Sequence, residues 1–402
     1  MLVVDVNEFY SPTGGGVRTY IDRKMSIMAD MGHELICIAC GKEDRVEERA
    51  GGGKIIYIKS PGLPFDKNYG LFSRYEPIWR WLDQLQPDVV ETSSPWRPAW
   101  IVGKWQGSAL KSFFMHNDNI AAYPMRWLEG LAPPEQIEEA CAIYARYMNR
   151  FLTLYDTVVT NGPALQKRLT RRGVRIDAAM TLGIERSHFS PGLRDERLRA
   201  AMLRQVDLPP EGHLLIGIGR HHGEKRWPLV IDAVRMAGDK LPVGLMLLGT
   251  GPESKRLEAR IDGNPHIRLF RPVYERNELA RIMASADALI HGSEAEPFGL
   301  VPSEAMASGL PLIVPDTGGC AEVADPLTSE TYRARDSVSA AAAIQRLFAR
   351  EPAILRKAAK VAAGRVRTDR EHAVDLMAYY QSLIDARDGA SVVDLKFATL
   401  SG

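Results

Sequence analysis

The sequence predicts an α/β protein made of two domains, each built around a parallel β-sheet. Short apolar runs alternate with longer amphipathic stretches from end to end, as strands and helices do in parallel α/β architecture. The chain has 402 residues, and at roughly 100–200 residues per domain this length indicates two or three domains. The alternation breaks once, near residues 190–212, where proline, glycine and charged residues predict a boundary between two similar halves.

Both halves contain a series of predicted strands. In the first half the apolar runs lie at Leu2–Val6, Glu34–Ala39, Lys54–Ile58, Asp88–Glu91, Lys111–Met115 and Thr157–Thr160. Helical patterns between them lie at Gly16–Met31, Leu71–Gln84 and Pro134–Leu152. In the second half the runs lie at Leu214–Gly219, Val243–Leu248, Ile267–Phe270, Ala288–His291 and Leu310–Val314. Because ligands bind beyond the carboxyl ends of parallel strands, residues that directly follow these runs are the candidate site residues.

The break sets the predicted domain boundaries. We expect a first domain at residues 1–190, a linker at 191–212 and a second domain at 213–370. Residues 371–402 are expected to form a C-terminal helix followed by a tail.

Composition narrows the class of protein. Hydrophobic residues make up 45% and charged residues 25%, which is ordinary for a globular protein and disfavours disorder. A net charge of +1 disfavours a dedicated nucleic-acid binder. Four cysteines are too few for a disulfide scaffold, no apolar run approaches the length of a membrane span, and the N-terminus lacks a basic signal region. These features predict a cytoplasmic protein.

The segment from His291 to Glu304 is the most informative. It follows a predicted buried strand and opens a helix around Gly299. Glu296 and Glu304 are eight residues apart, which would separate them by about 12 Å along a continuous helix, comparable to the reach of a sugar nucleotide. Backbone N–H groups at the helix start would favour a diphosphate. The alternative is a capped helix with one solvated glutamate.

A second segment, Gly217 to Lys225, follows the first strand of the second half. Its glycine spacing, G-x-G-x-x-x-G, is one residue too long for a dinucleotide fingerprint. Arg220 and Lys225 would stand at the strand end and helix start, where two cations stabilise negative charge growing on a leaving phosphate. The alternative is a solvated turn.

Two features of the first half fit the same chemistry. Gly14, Gly15 and Gly16 form a turn between the first strand and the first helix, where glycine lets the backbone approach a phosphate closely. His116 directly follows a predicted strand, and Asp118 lies two residues further on. The alternatives are a plain tight turn and a structural histidine.

Together these segments resemble the retaining family-4 glycosyltransferases, the glycosyl transferases group 1. The resemblance rests on E-P-F-G-L-x-P-x-E-A-M-A-x-G-x-P from Glu296, on G-G-x-x-E from Gly318 to Glu322, and on G-R-x-x-x-x-K from Gly219 to Lys225. It implies the GT-B fold, with two Rossmann-like domains facing each other across a cleft. It also implies an acceptor-binding first domain, a donor-binding second domain, and a last helix that packs back on the first domain.

The resemblance assigns roles to individual residues. The implied catalytic residues are His116, Glu296, Arg220 and Lys225. The implied contacts to the nucleotide-sugar donor are Gly15, Gly16, Arg220, Lys225, Gly249, Val273, Glu296, Phe298, Gly299, Leu300 and Glu304. Among these, Glu296 and His116 contact the transferred sugar, Glu304 binds the ribose, and Arg220 and Lys225 hold the diphosphate.

The chain departs from the family pattern at two places. Arg226 stands where the family has a glycine after the lysine, which puts the conformation of that loop in question. Arg271 stands where the family often has a glycine beside the base, so the sequence does not identify the base.

The function implied is retaining transfer of a hexose from a UDP- or GDP-sugar to an acceptor hydroxyl, in bacterial polysaccharide or glycolipid assembly. No metal or other cofactor is expected, since the Asp-x-Asp pattern of metal-dependent transferases does not occur in the sequence. The alternatives are a nucleotide-sugar epimerase of the same fold and a non-catalytic nucleotide-sugar-binding subunit. An NAD(P)-dependent oxidoreductase is disfavoured by the glycine spacing.

The expected partners are the donor and a glycan or glycolipid acceptor, with no nucleic acid. Six of the seven tryptophans lie in the first half. They are interpreted as core residues, with a surface that contacts membrane lipid as the alternative, because tryptophan favours membrane interfaces. That alternative would place the protein at the inner face of the membrane.

Overall fold

The chain forms two compact units in a computed structural model that describes residues 1–11, 16–62, 69–118, 131–294, 296 and 299–398. Unit 1 comprises Met1–Leu182 and Asp369–Gly402, and unit 2 comprises Gly183–Thr368. The C-terminal helix, Asp369–Ala398, thus belongs to the unit formed by the first half of the chain.

Unit 1 is built on a sheet of eight strands in its described residues. The strands are β1 (Leu2–Asn7), β2 (Glu34–Gly41), β3 (Arg45–Glu48), β4 (Lys54–Lys59), β5 (Val89–Thr92), β6 (Leu110–Met115), β7 (Thr157–Thr160) and β8 (Ala178–Ala179). Their order is β3-β4-β2-β1-β5-β6-β7-β8, and all neighbours are parallel except β3 and β4. Such a sheet needs helices on both faces, because its strands are apolar on both sides.

The helices of unit 1 cover both faces. They are α1 (Gly16–Asp30), α2 (Glu76–Leu85), α3 (Arg97–Lys104), α4 (Pro134–Leu152), α5 (Pro163–Arg171) and the C-terminal helix. One core contains Leu82, Val102 and Met148 from α2, α3 and α4, and the other contains Met25 from α1 and Leu376 from the C-terminal helix. Within the described ranges, no helix is both long enough and apolar enough to cross a membrane.

Unit 2 has a six-stranded sheet in its described residues, and every neighbouring pair is parallel. The strands are β9 (His213–Ile218), β10 (Val243–Leu248), β11 (Ile267–Phe270), β12 (Ala288–Ile290), β13 (Leu312–Pro315) and β14 (Ser329–Tyr332), in the order β11-β10-β9-β12-β13-β14. The helices are α6 (Glu196–Gln205), α7 (Trp227–Gly238), α8 (Ser254–Ile261), α9 (Arg276–Ser285), α10 (Leu300–Ala307), α11 (Gly319–Val323), α12 (Ser337–Phe348) and α13 (Pro352–Ala363).

The segment 191–212, expected as a linker, is folded into unit 2. It holds a 3-10 turn at Pro191–Leu193 and helix α6. The Asp195 side chain caps α6 by accepting hydrogen bonds from two backbone N–H groups, as N-cap aspartates do. Met202 and Leu203 of α6 are buried in the core of unit 2. The turn residues therefore mark a local cap and not a flexible connection.

A buried charged cluster joins three elements of unit 1. Lys24 of α1 forms an ion pair with Glu91 of β5, and both side chains are almost completely buried. Tyr380 of the C-terminal helix donates a hydrogen bond of 3.0 Å to the same carboxylate. Burial and the neighbouring Glu91 carboxylate raise the pKa of Asp5, on β1, to about 7. Lys24 is therefore the cation that makes the burial of these carboxylates tolerable.

We predict that Lys24→Met lowers the stability of unit 1 by about 3–5 kcal/mol at neutral pH, because it leaves carboxylates buried without their cation. The loss should shrink as the pH falls below 7, since a carboxyl whose pKa is raised by folding binds its proton more readily in the folded state. Urea unfolding followed by tryptophan fluorescence measures this, because six of the seven tryptophans lie in unit 1.

The matched control is Lys54→Met, which removes a partly exposed ion pair with Glu34, 3.6 Å between nitrogen and oxygen. It should cost no more than about 1 kcal/mol. Equal losses in the two variants would contradict the special role of Lys24.

Candidate active site

The candidate site of unit 2 lies where the strand order of its sheet reverses. The chain adds β10 and β11 on one side of β9, then returns to add β12, β13 and β14 on the other. Loops that follow β9 and β12 diverge from such a switch point, which is where open α/β sheets bind ligands. The two segments singled out in the sequence are these two loops.

Lys225 and Glu296 meet across this point. Lys225 ends a 3-10 turn after β9, and Glu296 lies in the loop after β12. The distance from Lys225 Nζ to Glu296 Oε2 is 2.5 Å, and the side chains are 15% and 13% exposed. The site thus holds a cation suited to a phosphate beside a carboxylate suited to hydroxyl groups, both accessible from solvent.

A second ion pair runs parallel to the first. Arg226 binds both carboxylate oxygens of Glu294, at 2.8 and 2.7 Å from its Nε. Arg335, after β14, also contacts Glu294, at 2.7 Å. The two consecutive cations of one loop therefore bind the two glutamates of the other, which fixes the loops against each other.

Arg226 also explains its own departure from the family pattern. Its backbone has φ 47°, in the left-handed region where glycine is favoured. The loop therefore keeps the conformation that a glycine would supply, and the arginine side chain adds the ion pair with Glu294.

Arg220 is not part of this cluster. Its side chain is 75% exposed and forms an ion pair of 3.0 Å with Glu224. Its backbone oxygen accepts a hydrogen bond from the Trp227 indole, which anchors the main chain at this point. The predicted role of Arg220 at a diphosphate stays a prediction.

His291 was part of the quoted segment but received no role from the sequence, although it directly follows β12. Its Nε2 lies 3.8 Å from Glu296 Oε2, and its Nδ1 accepts a hydrogen bond from the backbone N–H of Ser293. Burial and the nearby Lys225 cation lower the pKa of His291 to about 4. A neutral imidazole therefore backs the Lys225–Glu296 pair.

Close backbone packing explains the glycines. A Cβ at Gly249 would lie 2.0 Å from the Gly219 oxygen, and one at Gly251 would lie 2.4 Å from the His221 oxygen. Gly299 has φ 63°, and a Cβ there would lie 2.9 Å from the Gly319 oxygen. These positions let the loops after β9, β10 and β12 come together.

The remaining predicted donor contacts occupy the same end of unit 2. Glu304 lies in α10, and its carboxylate is 3.4 Å from Arg276. Leu300 begins α10, and Val273 follows β11, each partly buried against the core. Because α10 begins only at Leu300, Glu296 is not helical, so the predicted continuous helix between the two glutamates is wrong. Phe298 lies outside the described residues.

In unit 1, Gly14 and Gly15 lie outside the described residues, and Gly16 is the first residue of α1. His116 follows β6 and packs its ring against Phe114 and Tyr20, with centroids 4.5 and 4.7 Å away. Burial, with Lys24 and His372 nearby, lowers the pKa of His116 to about 3, so the ring is neutral. Its contact with the sugar stays a prediction.

Asp118 pairs with two arginines of α5 and its C-terminal end, Arg168 and Arg172, each at 2.9 Å. This geometry supports a structural role for the carboxylate.

Glu8 is a polar residue that the sequence analysis missed. It directly follows β1, is 2% exposed, and accepts a hydrogen bond from the Ser94 hydroxyl. Its other carboxylate oxygen is buried without a hydrogen-bond partner. Burial raises the pKa of Glu8 to about 7. The same rule that selected His116, a polar residue directly after an apolar strand, would have found it.

Across the described ranges, no three His, Cys, Asp or Glu side chains converge in a way that could hold a metal ion.

Two family models match the chain, one on each half. The glycosyl transferase 4-like domain matches residues 15–183, and the model of the glycosyl transferases group 1 matches residues 212–350. Together they span most of the chain. The second match contains Lys225, Glu296 and Glu304.

Curated proteins show the same relationship. The GDP-mannose-dependent alpha-(1-6)-phosphatidylinositol dimannoside mannosyltransferase of Mycobacterium tuberculosis is 27% identical over 325 residues, which cover 80% of this chain and 81% of that protein. A GDP-mannose-dependent alpha-mannosyltransferase of Mycobacterium tuberculosis is 26% identical over 328 residues, 81% of either chain.

A solved structure shows the fold. Sucrose-phosphate synthase from Thermosynechococcus elongatus superposes with a TM-score of 0.76 at 19% identity, over 96% of this chain and 100% of that one. The two parallel sheets, the two family models and these relatives agree. The chain belongs to the glycosyl transferases group 1, the family-4 glycosyltransferases, and is an enzyme of the GT-B fold.

Proposed function

We propose that this glycosyltransferase moves mannose from GDP-mannose to a hydroxyl of a glycolipid acceptor, with retention of configuration and without a metal ion. The observation that carries the proposal is the Lys225–Glu296 pair at the switch point of unit 2. The names of two relatives support GDP-mannose as the donor, and one names a phosphatidylinositol dimannoside, which supports a glycolipid acceptor.

Donor binding begins with an exchange of partners. A diphosphate carries more negative charge than one carboxylate, so it competes with Glu296 for the Lys225 ammonium. Glu296 is then released to accept hydrogen bonds from hydroxyls of the mannose. The exposed Arg220 side chain, at the start of the same loop, can leave Glu224 for a phosphate oxygen, since an exposed ion pair is weak.

The chemical step places charge on the same groups. The bond between the sugar C1 and the phosphate oxygen breaks, and the bond from C1 to the acceptor oxygen forms on the same face. The acceptor proton passes to the departing phosphate oxygen. Lys225 and Arg220 stabilise the negative charge that grows on GDP, and Glu296 stabilises the positive charge that grows on the sugar.

The neutral state of His291 fits this division of labour. An imidazolium behind Glu296 would compete with the sugar for the carboxylate, whereas the neutral ring does not. The low pKa of His291, caused by burial and Lys225, keeps Glu296 available at physiological pH.

The proposal predicts transfer of labelled mannose from GDP-mannose to a phosphatidylinositol mannoside, giving an α-linked product by NMR, with a rate unchanged by EDTA. UDP-glucose and ADP-glucose should transfer at least about tenfold more slowly, because one lost contact to the base is worth roughly that factor.

Two outcomes would contradict the assignment. Release of an altered nucleotide sugar without any acceptor would indicate an epimerase. Donor binding with neither transfer nor hydrolysis would indicate a non-catalytic binding subunit.

The Arg226–Glu294 pair should matter for rate although neither residue is assigned to the substrate. Arg226→Ala should lower kcat/KM for transfer about 10- to 100-fold, because Lys225 and Glu296 lose the neighbouring contact that fixes their loops. Arg226→Lys should recover part of the loss, since it keeps a cation in the same loop.

The matched control is Arg335→Ala. Arg335 binds the same carboxylate from a more exposed position outside the Lys225 loop. Its loss should change kcat/KM by less than about threefold, as for an exposed ion pair. Equal effects of the two alanine variants would refute the positioning role of Arg226.

A further inference from the structure

Unit 1 contains a groove that the proposed reaction does not use. It has a volume of about 590 Å³ and is bounded by residues of α2, α3 and α4 and by residues just before α2 and α3. Five of the lining side chains are aromatic: Tyr75, Trp79, Trp96, Trp100 and Tyr147. This volume is in the range of sites that bind small organic ligands.

The aromatic walls present mainly carbon to the groove, because several of their polar atoms are bonded within the protein. The Trp79 indole N–H donates to the Ile101 oxygen at 2.8 Å, and that of Trp100 donates to the Tyr147 hydroxyl at 3.3 Å. The Tyr147 hydroxyl donates in turn to the Pro95 oxygen at 3.0 Å. Three of the five rings therefore contribute apolar surface and no available donor.

The only charged residues that line this groove are cations, Arg97 and Lys104. They are the first and last residues of α3, so they stand about 10 Å apart along the helix. Lys104 Nζ lies 5.4 Å from the centre of the Trp100 ring, a cation–π distance, and Arg97 donates to the Ser73 oxygen at 2.8 Å. Both ends of the apolar groove thus carry positive charge.

This combination favours one class of occupant. A glycan needs many hydrogen bonds to its hydroxyls, and the rings that line the groove have turned their donors inward. A neutral hydrocarbon would leave both cations without a counter-charge. An anionic amphiphile satisfies both, with its chain against the rings and its phosphate at a cation.

We propose that the aromatic groove of α2, α3 and α4 binds an acyl chain of an anionic phospholipid, whose phosphate pairs with Arg97 or Lys104. The occupant is a membrane phospholipid. The inference does not depend on the sugar donor, and its test contains no donor.

The experiment uses the full chain and two readouts. Sedimentation with vesicles of phosphatidylcholine and phosphatidylglycerol measures binding. Tryptophan quenching by bromine on the phosphatidylglycerol acyl chains measures contact between chain and groove. We expect binding with quenching on these vesicles, and neither on vesicles of phosphatidylcholine alone.

The variant Arg97→Gln with Lys104→Gln should weaken vesicle binding about tenfold or more, as expected for two cations that face anionic lipid. The matched control, Lys42→Gln with Lys167→Gln, removes the same charge from exposed positions of unit 1 outside the groove. It should weaken binding by less than about threefold, because distant surface charges are screened.

A third variant tests the apolar wall and leaves both cations in place. Tyr75 is 44% exposed, and its ring centre lies 4.4 Å from that of Trp79. Tyr75→Ser should keep the unfolding midpoint and reduce the quenching at equal bound protein.

Four results would overturn the proposal. These are vesicle binding without quenching, equal binding to neutral vesicles, equal losses in the two charge variants, and displacement of the lipid by a soluble mannose oligosaccharide. The last result would make the groove a glycan site.

Discussion

Two ion pairs that cross between the same two loops hold the charged end of unit 2 together. Lys225 and Arg226 are consecutive in the loop after β9, and Glu296 and Glu294 alternate in the loop after β12. One pair is open to exchange with a ligand, and the other is reinforced by Arg335. This arrangement lets the loops stay in place while Lys225 and Glu296 change partners, which is what transfer from a charged donor requires.

Backbone packing makes this arrangement possible. The glycines after β9, β10 and β12 allow contacts that no Cβ would permit, so the loops meet at the switch point of the sheet. In unit 1, the Lys24–Glu91 pair and Tyr380 connect α1, β5 and the C-terminal helix beneath His116. Each unit thus places charged side chains next to close-packed backbone at the carboxyl ends of its strands.

The sequence predicted the fold class and most strands, because buried parallel strands are long apolar runs. It missed β3, β8 and β14, which are short, and it mistook the cap of α6 for a linker, because proline and glycine mark caps and linkers alike. Lys225 and Glu296 could be found from their place after strands. The Arg226–Glu294 and Lys24–Glu91 pairs could not, because only the folded chain brings residues so distant in sequence together.

The most direct measurement is the GDP affinity of Glu296→Gln, by calorimetry, together with its rate of mannose transfer. If Lys225 exchanges Glu296 for the donor diphosphate, removing the carboxylate charge should leave GDP affinity equal or tighter. Transfer should fall about 100-fold or more, since Glu296 acts on charge that develops in the transition state. A folded variant that transfers mannose at the wild-type rate, or one that loses GDP affinity, would contradict the exchange.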